Sequence, residues 1–294
     1  MGRPLGRLRR LPEIECLFPK TLSEALSLLE KHKGQVKVIA GGTDLLSKMK
    51  RRELTPKYLI DLKGIEDLNF INYDSEKGLM IGAMATLSEV EESSIVRKDY
   101  PILVDALSQM GSMQVRNIGT IVGNLCNAVP SADSAPPLMA LEGRLKIMGP
   151  EGERTVLVED FFKGPEETLL DQLELVTGVE IPPKGPDESG TYIKHTYRGA
   201  MDLALVGIAV YLAVDSEKNM CRDIRIAMGA VGPVPMRARK AEEVLRGKTL
   251  TDDLIETAAK TASEESNPRS FPEYKREMVM VLTKRAIKKS LESR

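Results

Sequence analysis

Two segments of the sequence hold the residue types that a polar ligand needs. The first runs Ile39-Ala40-Gly41-Gly42-Thr43-Asp44-Leu45, where a buried-strand pattern leads into two glycines and then a helix start. Glycines let backbone N–H groups approach an anion, Thr43 adds a hydroxyl, and a helix N-terminus adds a favourable dipole. The chemistry this suits is the holding of a phosphate or pyrophosphate. The segment is neither a P-loop nor a GxGxxG turn, and a strand–turn–helix corner needing glycine only for its geometry is an equal reading. The second segment, residues 117–137, is rich in glycine, asparagine, serine and proline. Irregular stretches of that length are usually functional or disordered. Val115, Ile118, Ile121, Val122, Leu125 and Val129 are too apolar for disorder, so a packed loop lining a ligand is expected. Thr120, Asn124, Asn127, Ser131 and Asp133 offer groups suited to ribityl and ribose hydroxyls. Asp133 can alternatively cap the turn before Pro136-Pro137. One segment suited to phosphates and one to polyols suggest a dinucleotide stretched across a cleft.

The remaining side chains offer little chemistry. His32 and His195 are the two histidines, so a histidine-based triad or metal cage is nearly excluded. Cys16, Cys126 and Cys221 are widely spaced, odd in number and form no CxxC pair. That argues against a disulfide framework, a zinc site or an iron–sulfur cluster held by this chain, and for buried reduced thiols in a cytoplasmic protein. Tryptophan is absent and aromatics make up 4%. Whatever chemistry occurs must come from a bound cofactor, or the role is binding.

The elements that would position these segments can be read from periodicity. Thr21 and Glu24 form a capping box for a helix through Lys33 that Gly34 closes. Strands follow at 36–40 and 58–62, with one or two helical turns at 44–50 between them. Short strands at 68–73 and 78–83 lead to a helix capped by Thr86 and Glu89, then an amphipathic helix over 101–110. The stretch 111–137 reads as irregular, and strands resume at 145–148, 154–157 and 173–181. Residues 181–191, with three prolines and two glycines, make the best linker. Beyond it come three antiparallel strands at 191–198, 204–215 and 221–229, with Asn219 in the last turn. Helices at 238–246, 252–263 and 274–292 complete the chain. Lysine plus arginine (42) nearly balances aspartate plus glutamate (43), which gives no reason to expect nucleic acid. No stretch approaches a membrane span. Arg3, Arg7, Arg9 and Arg10 form a basic tail with no apolar segment behind it, a solvated or partner-docking end.

IAGGTDLL (39–46) and QVRNIGTIVGNLCNAVPSADSAP (114–136) resemble the two flavin motifs of the middle subunit of molybdenum hydroxylases, the xanthine dehydrogenase and carbon monoxide dehydrogenase family. IGAMATLSEVE (81–91), EDFFKGPEETLL (159–170), ELVTGVEIP (174–182), YIKHTYRGAMDLALVGIAV (192–210) and YKREMVMVLTKRAI (274–287) are similar to that family's supporting stretches, in its order. The resemblance covers nearly all the chain after residue 13. It implies an α+β fold: a two-subdomain FAD-binding unit of the vanillyl-alcohol-oxidase (PCMH) type, then a C-terminal α+β domain. On that reading residues 1–12 are the tail, 13–62 and 63–184 the FAD-binding subdomains, and 185–294 the C-terminal domain with a three-stranded antiparallel sheet and helical cluster.

Carried over by residue, the turn of Ile39, Ala40, Gly41, Gly42, Thr43, Asp44 and Leu45 would hold the FAD pyrophosphate. Thr120, Gly123 and Asn124 would complete phosphate and ribityl contacts, and Asp133 would bond a sugar hydroxyl. Val176, Lys194 and Met110 would approach the flavin ring, Lys194 as a cation that stabilises negative charge on the reduced ring; the alternative for Lys194 is an exposed strand lysine. Val122-Gly123 departs from the family's paired glycines. The resemblance further implies no catalytic side chain and no metal here, with the molybdenum cofactor on a large subunit and 2Fe–2S clusters on a small one. Electrons would pass through FAD to NAD⁺ or another acceptor, in a heterotrimer-based assembly. The alternatives are a stand-alone flavin oxidoreductase, which would need acid–base residues beside the ring, and a flavin-free scaffold subunit.

Overall fold

A computed structural model of the chain describes residues 11–199, 201–215, 217 and 220–293. The basic residues Arg3, Arg7, Arg9 and Arg10, and the turn residue Asn219, lie outside the described residues. The α+β class expected from the sequence is observed, built on three main sheets.

The first sheet is three parallel strands, β1 (Glu15–Leu17), β2 (Val36–Ile39) and β3 (Tyr58–Asp61), in the order β1-β3-β2. Parallel neighbours need crossovers, which α1 (Leu22–Lys31) and α2 (Leu45–Lys50) supply. Thr21 caps α1 by accepting from the Glu24 N–H. The expected capping box is only half made, because the Glu24 carboxylate turns to the Lys20 N–H at 2.7 Å. Cys16, expected buried, is exposed on edge strand β1; Cys126 is half-buried and Cys221 buried.

The second sheet is antiparallel, ordered β4-β5-β10-β6-β7: β4 (Ile71–Asp74), β5 (Gly78–Gly82), β6 (Arg144–Gly149), β7 (Gly152–Leu157) and β10 (Leu175–Ile181). A small hairpin, β8 (Phe162–Gly164) and β9 (Glu167–Thr168), stands apart from it. Between β5 and β6 lie α3 (Leu87–Glu92), α4 (Ser94–Asp99), α5 (Pro101–Leu107), α6 (Met113–Arg116), α7 (Ile121–Asn127) and α8 (Ala135–Ala140). The full capping box forms on α3 between Thr86 and Glu89. The stretch expected to be irregular therefore contains three short helices. Ser112 and Thr120 cap the first two through their hydroxyls, and Pro136 and Pro137 sit in the first turn of the third, where a missing N–H costs nothing. The residues that looked like helix breakers are helix starters.

The third sheet runs β11 (Glu188–His195), β12 (Val206–Asp215), β13 (Met220–Gly229) and β14 (Met236–Arg237), all antiparallel neighbours. It has four strands where three were expected. The fourth is a two-residue pairing of Met236 and Arg237 with Met228 and Ala227, too short to leave a periodic signal. The expected linker is also shorter than its prolines suggest. β10 ends at Ile181 and β11 starts at Glu188, and the piece between is pinned by the Tyr100 hydroxyl to the Pro182 carbonyl.

Strand β12 joins the two halves of the molecule. Val206, Ile208, Val210, Leu212 and Val214 pack into a cluster with α9 (Arg239–Leu245), α10 (Asp252–Glu265) and α11 (Pro272–Glu292). Ala209 and Tyr211, on the opposite face, join the large core built from β5, β6, β10 and helices α3, α4, α5, α7 and α8. The two-residue period of a strand thus sends alternate side chains into two different cores.

Candidate functional site

The first motif leaves β2 at Ile39, which is buried, and turns through Ala40, Gly41 and Gly42 into α2. Gly42 has φ +74°, a left-handed conformation that glycine adopts without cost. A Cβ on Gly41 would stand 2.1 Å from the Ile118 carbonyl oxygen and 2.8 Å from the Gly119 Cα. The second motif's backbone therefore lies directly against the first, and the two segments singled out by residue type meet. Asp44, which is exposed, caps α2 without a side-chain bond, and the Thr43 hydroxyl makes only a long contact of 3.4 Å to it. The backbone N–H groups of Gly42, Thr43, Asp44 and Leu45 donate to no acceptor among the described residues. A row of unpaired N–H donors on a turn with one left-handed residue suits an anion.

In the second motif much of the polar inventory is already engaged. The Thr120 hydroxyl accepts from the Gly123 N–H at 2.9 Å, capping α7. The Asn124 side-chain Oδ1 accepts from the Ser134 hydroxyl at 2.6 Å, tying α7 to the start of α8. Val122, in place of a first glycine, sends its side chain into the large core. Lys48, one turn into α2, donates to the side-chain Oδ1 of Asn127 at 3.0 Å and pairs with Glu166 of the β8–β9 turn at 2.8 Å.

Asp133 does not cap the turn before Pro136. Its Oδ1 accepts from the Tyr192 hydroxyl and its Oδ2 from Lys194 Nζ, both at 2.8 Å. Lys194 also donates to the Gln109 carbonyl at 3.1 Å, and its side chain is 3% exposed, so the exposed-lysine alternative does not hold. Burial pushes the Asp133 carboxyl above its ordinary range, and Lys194 and Tyr192 bring it only part of the way back. The Tyr192 phenol is raised well above its ordinary value by burial and by the Asp133 charge. Met110 is buried beside this group, next in chain to Gln109, and its carbonyl accepts from Arg116 at 3.3 Å. Val176 is buried in the same core at an irregularity of the β10–β6 pairing.

The structure thus brings together the glycine turn with Ile118 and Gly119, and Asp133 with Lys194 and residues 109–110. Tyr192 and Lys48 were not anticipated. Tyr192 shares a strand face with Lys194 by its two-residue spacing, which is a usable signal; nothing in the sequence marks Lys48. A cavity of about 40 Å³ lined by Met139, Glu142, Glu159, Arg237 and Arg239 lies elsewhere and has room for little more than water. Among the described residues no cluster of His, Cys, Asp and Glu could hold a metal, and no helix is long and apolar enough to cross a membrane. The free N–H row fits the pyrophosphate of a dinucleotide cofactor, and the glycine at 41 sets that row beside the polar second motif.

Residues 12–184 match the family model described as the FAD binding domain in molybdopterin dehydrogenase, and residues 191–290 match the CO dehydrogenase flavoprotein C-terminal domain. Over 281 residues the chain is 37% identical to the glyceraldehyde dehydrogenase medium chain of Sulfolobus acidocaldarius, covering 94% of this chain and 98% of that one. It is 29% identical over 276 residues to the xanthine dehydrogenase FAD-binding subunit of Escherichia coli O157:H7, covering 92% and 94%. A solved structure of carbon monoxide dehydrogenase from Hydrogenophaga pseudoflava is similar with a TM-score of 0.92 at 32% identity, over 96% of this chain and 99% of that chain.

Proposed function

This chain belongs to the FAD-binding medium subunits of the molybdenum hydroxylases, and on that premise we propose that it is the electron-transfer station of a cytoplasmic complex and performs no substrate hydroxylation itself. It is an oxidoreductase subunit, and residues 12–184 are its FAD-binding domain. A large subunit with the molybdenum cofactor takes electrons from the substrate, and a small subunit with 2Fe–2S clusters relays them here. NAD⁺ or another acceptor receives them. FAD, when bound, supplies the ability to exchange electrons singly on one side and in pairs on the other.

The protein's part is placement. The N–H groups of Gly42 to Leu45 hold the pyrophosphate, and Asp133 accepts from a ribityl or sugar hydroxyl on lone pairs that Tyr192 and Lys194 leave free. Thr120, Gly123 and Asn124 shape the facing wall, since their own groups hold α7 and α8 in place. Lys194 faces the ring as one half of an ion pair. Met110 and Val176 present apolar surface and keep water from the ring. The observation that carries this reading is the free N–H row pressed against the second motif through Gly41.

The test is to purify the full chain, record its visible spectrum, and identify what denaturation releases. Flavin absorbance without an iron–sulfur shoulder, and FAD in the supernatant, is the expected result. A colourless chain that takes up no FAD even when produced with its partner subunits would replace this reading with a flavin-free scaffold.

A further inference from the structure

We propose that Tyr192 is a positioning residue for the cofactor: its hydroxyl fixes one oxygen of Asp133 so that the carboxylate meets Lys194 with the other and keeps its remaining lone pairs aimed at the bound FAD. This rests on the FAD-binding reading above. Three independent features of the fold support it.

The first is the hydrogen bonding itself. Asp133 stands between α7 and α8, in a segment whose side chains do not fix its orientation; the neighbouring Ser134 points its hydroxyl at Asn124. The restraint comes from β11, where Tyr192 and Lys194 project from the same face and each grips one oxygen. Asp133 is 7% exposed and Tyr192 2%, so water does not compete for these bonds.

The second is a space left for the phenol. Gly207 on β12 lies opposite Lys194 in the register of the sheet. A Cβ at Gly207 would stand 2.5 Å from the Tyr192 hydroxyl and 3.2 Å from its ring, so the phenol lies across a position kept bare for it. The third is how firmly β11 is held at this point. The Tyr192 N–H and the Thr191 hydroxyl both donate to Asp105 Oδ2 of α5, at 3.2 and 2.9 Å, and Lys289 of α11 pairs with the same oxygen. The tyrosine is delivered from a strand anchored to helices on both sides.

The charged and titratable groups facing Asp133 are Lys194 and Tyr192, both from β11; the turn after α5 contributes the Gln109 carbonyl that Lys194 also bonds, and Asp105 of α5 lies beyond the Tyr192 backbone. With the phenol removed, the carboxylate is held at one oxygen only and is more easily protonated. A protonated Asp133 loses its attraction for Lys194 and turns a hydrogen toward its neighbours, which disorders the wall against which FAD lies.

The test is FAD titration of the deflavinated full chain, as wild type, Tyr192→Phe and Gly207→Ala, between about pH 5.5 and pH 8. Wild-type affinity is expected to change little over that range. Tyr192→Phe is expected to bind about tenfold more weakly, the size of one hydrogen bond to a charged group, with the gap widening as the pH falls. Gly207→Ala keeps the phenol but displaces its hydroxyl, and is expected to show the same pattern; if Tyr192→Phe fails to fold, this variant decides. A folded Tyr192→Phe chain with wild-type affinity and an unchanged pH profile overturns the proposal and leaves Tyr192 as a packing residue. Failure of the wild-type chain to bind FAD would instead overturn the reading on which the proposal rests.

Discussion

Gly41 and Gly42 stand side by side and are needed for different reasons. At Gly41 the obstacle is a neighbour, the Ile118 carbonyl at 2.1 Å from where a Cβ would lie. At Gly42 it is the residue's own backbone, held at φ +74°, together with the end of the Ile39 side chain 2.8 Å from where a Cβ would lie, which can turn aside. Gly42→Ala should cost about 1 kcal/mol of left-handed strain. Gly41→Ala should cost about 3 kcal/mol, because its clash is with backbone that can yield only by parting the two motifs. Thermal midpoints and FAD titrations of the two variants distinguish them: Gly41→Ala should lose FAD affinity along with stability, and equal behaviour of the pair would contradict this account. The buried Asp133 carries a similar lesson. A sequence shows that a carboxylate is present, but the neighbours that hold it come from sixty residues away, as Tyr192 and Lys194 do.

At the scale of elements, α2 is the piece that couples both motifs. It begins at the free N–H row and, one turn later, sends Lys48 to Asn127 at the end of α7 and to Glu166 on the β8–β9 turn. Lys48→Met should lower stability by about 1 kcal/mol and weaken FAD binding severalfold, while Lys48→Arg restores most of both. Comparing melting curves with and without FAD checks this, and a Met variant indistinguishable from wild type would show the tie to be idle. Most elements of four residues or more were legible in the sequence: the helices α1, α3, α5 and α9 to α11 by period or cap, β2 into α2 by its glycines, and the strands β3 to β7 and β10 to β13 as apolar runs between turn residues. β1, β14 and the β8–β9 hairpin went unread because two or three residues carry no period. Helices α6 to α8 went unread because each starts on a serine, threonine or proline, and composition alone made those look like loop. The two motifs were legible as ligand-binding by residue type. Their contact through Gly41 and Ile118 was not, because nothing local fixes which loop a glycine faces.

Across the whole molecule, one group of ion pairs lies around β13, β14 and the start of α9, where they meet residues 140–159. Arg237 and Glu242 form a buried two-point pair at 2.6 and 2.7 Å. Arg239 reaches Glu159 at 2.6 Å, and Arg225 reaches Glu142 at 3.3 Å and the Ala140 carbonyl at 3.1 Å. Removing one member of a buried pair strands the other, so Glu242→Leu should destabilise by about 3–5 kcal/mol. Because the large core contains residues of both the second and third sheets, chemical denaturation should show one cooperative transition for wild type and variant alike. Two separated transitions, followed by tyrosine fluorescence and circular dichroism, would show that the halves are held less closely than their packing implies.

Strand β12, with alternate side chains in two cores, also sets an order on how the protein is made. A ribosome releases the FAD-binding segment first, and its helices α5 and α8 then wait with an apolar face that Ala209, Tyr211 and Ala227 will later cover. Until β12 and β13 emerge, that face is exposed to whatever else in the cell is sticky. The C-terminal segment has the converse difficulty, since its sheet would be left bare on one side if released alone. Dividing the chain at the loop after Ile181 should therefore yield two fragments that aggregate apart and dissolve when produced together. What looks in sequence like two modules in tandem is, in biosynthesis, a single unit that is finished only near its end.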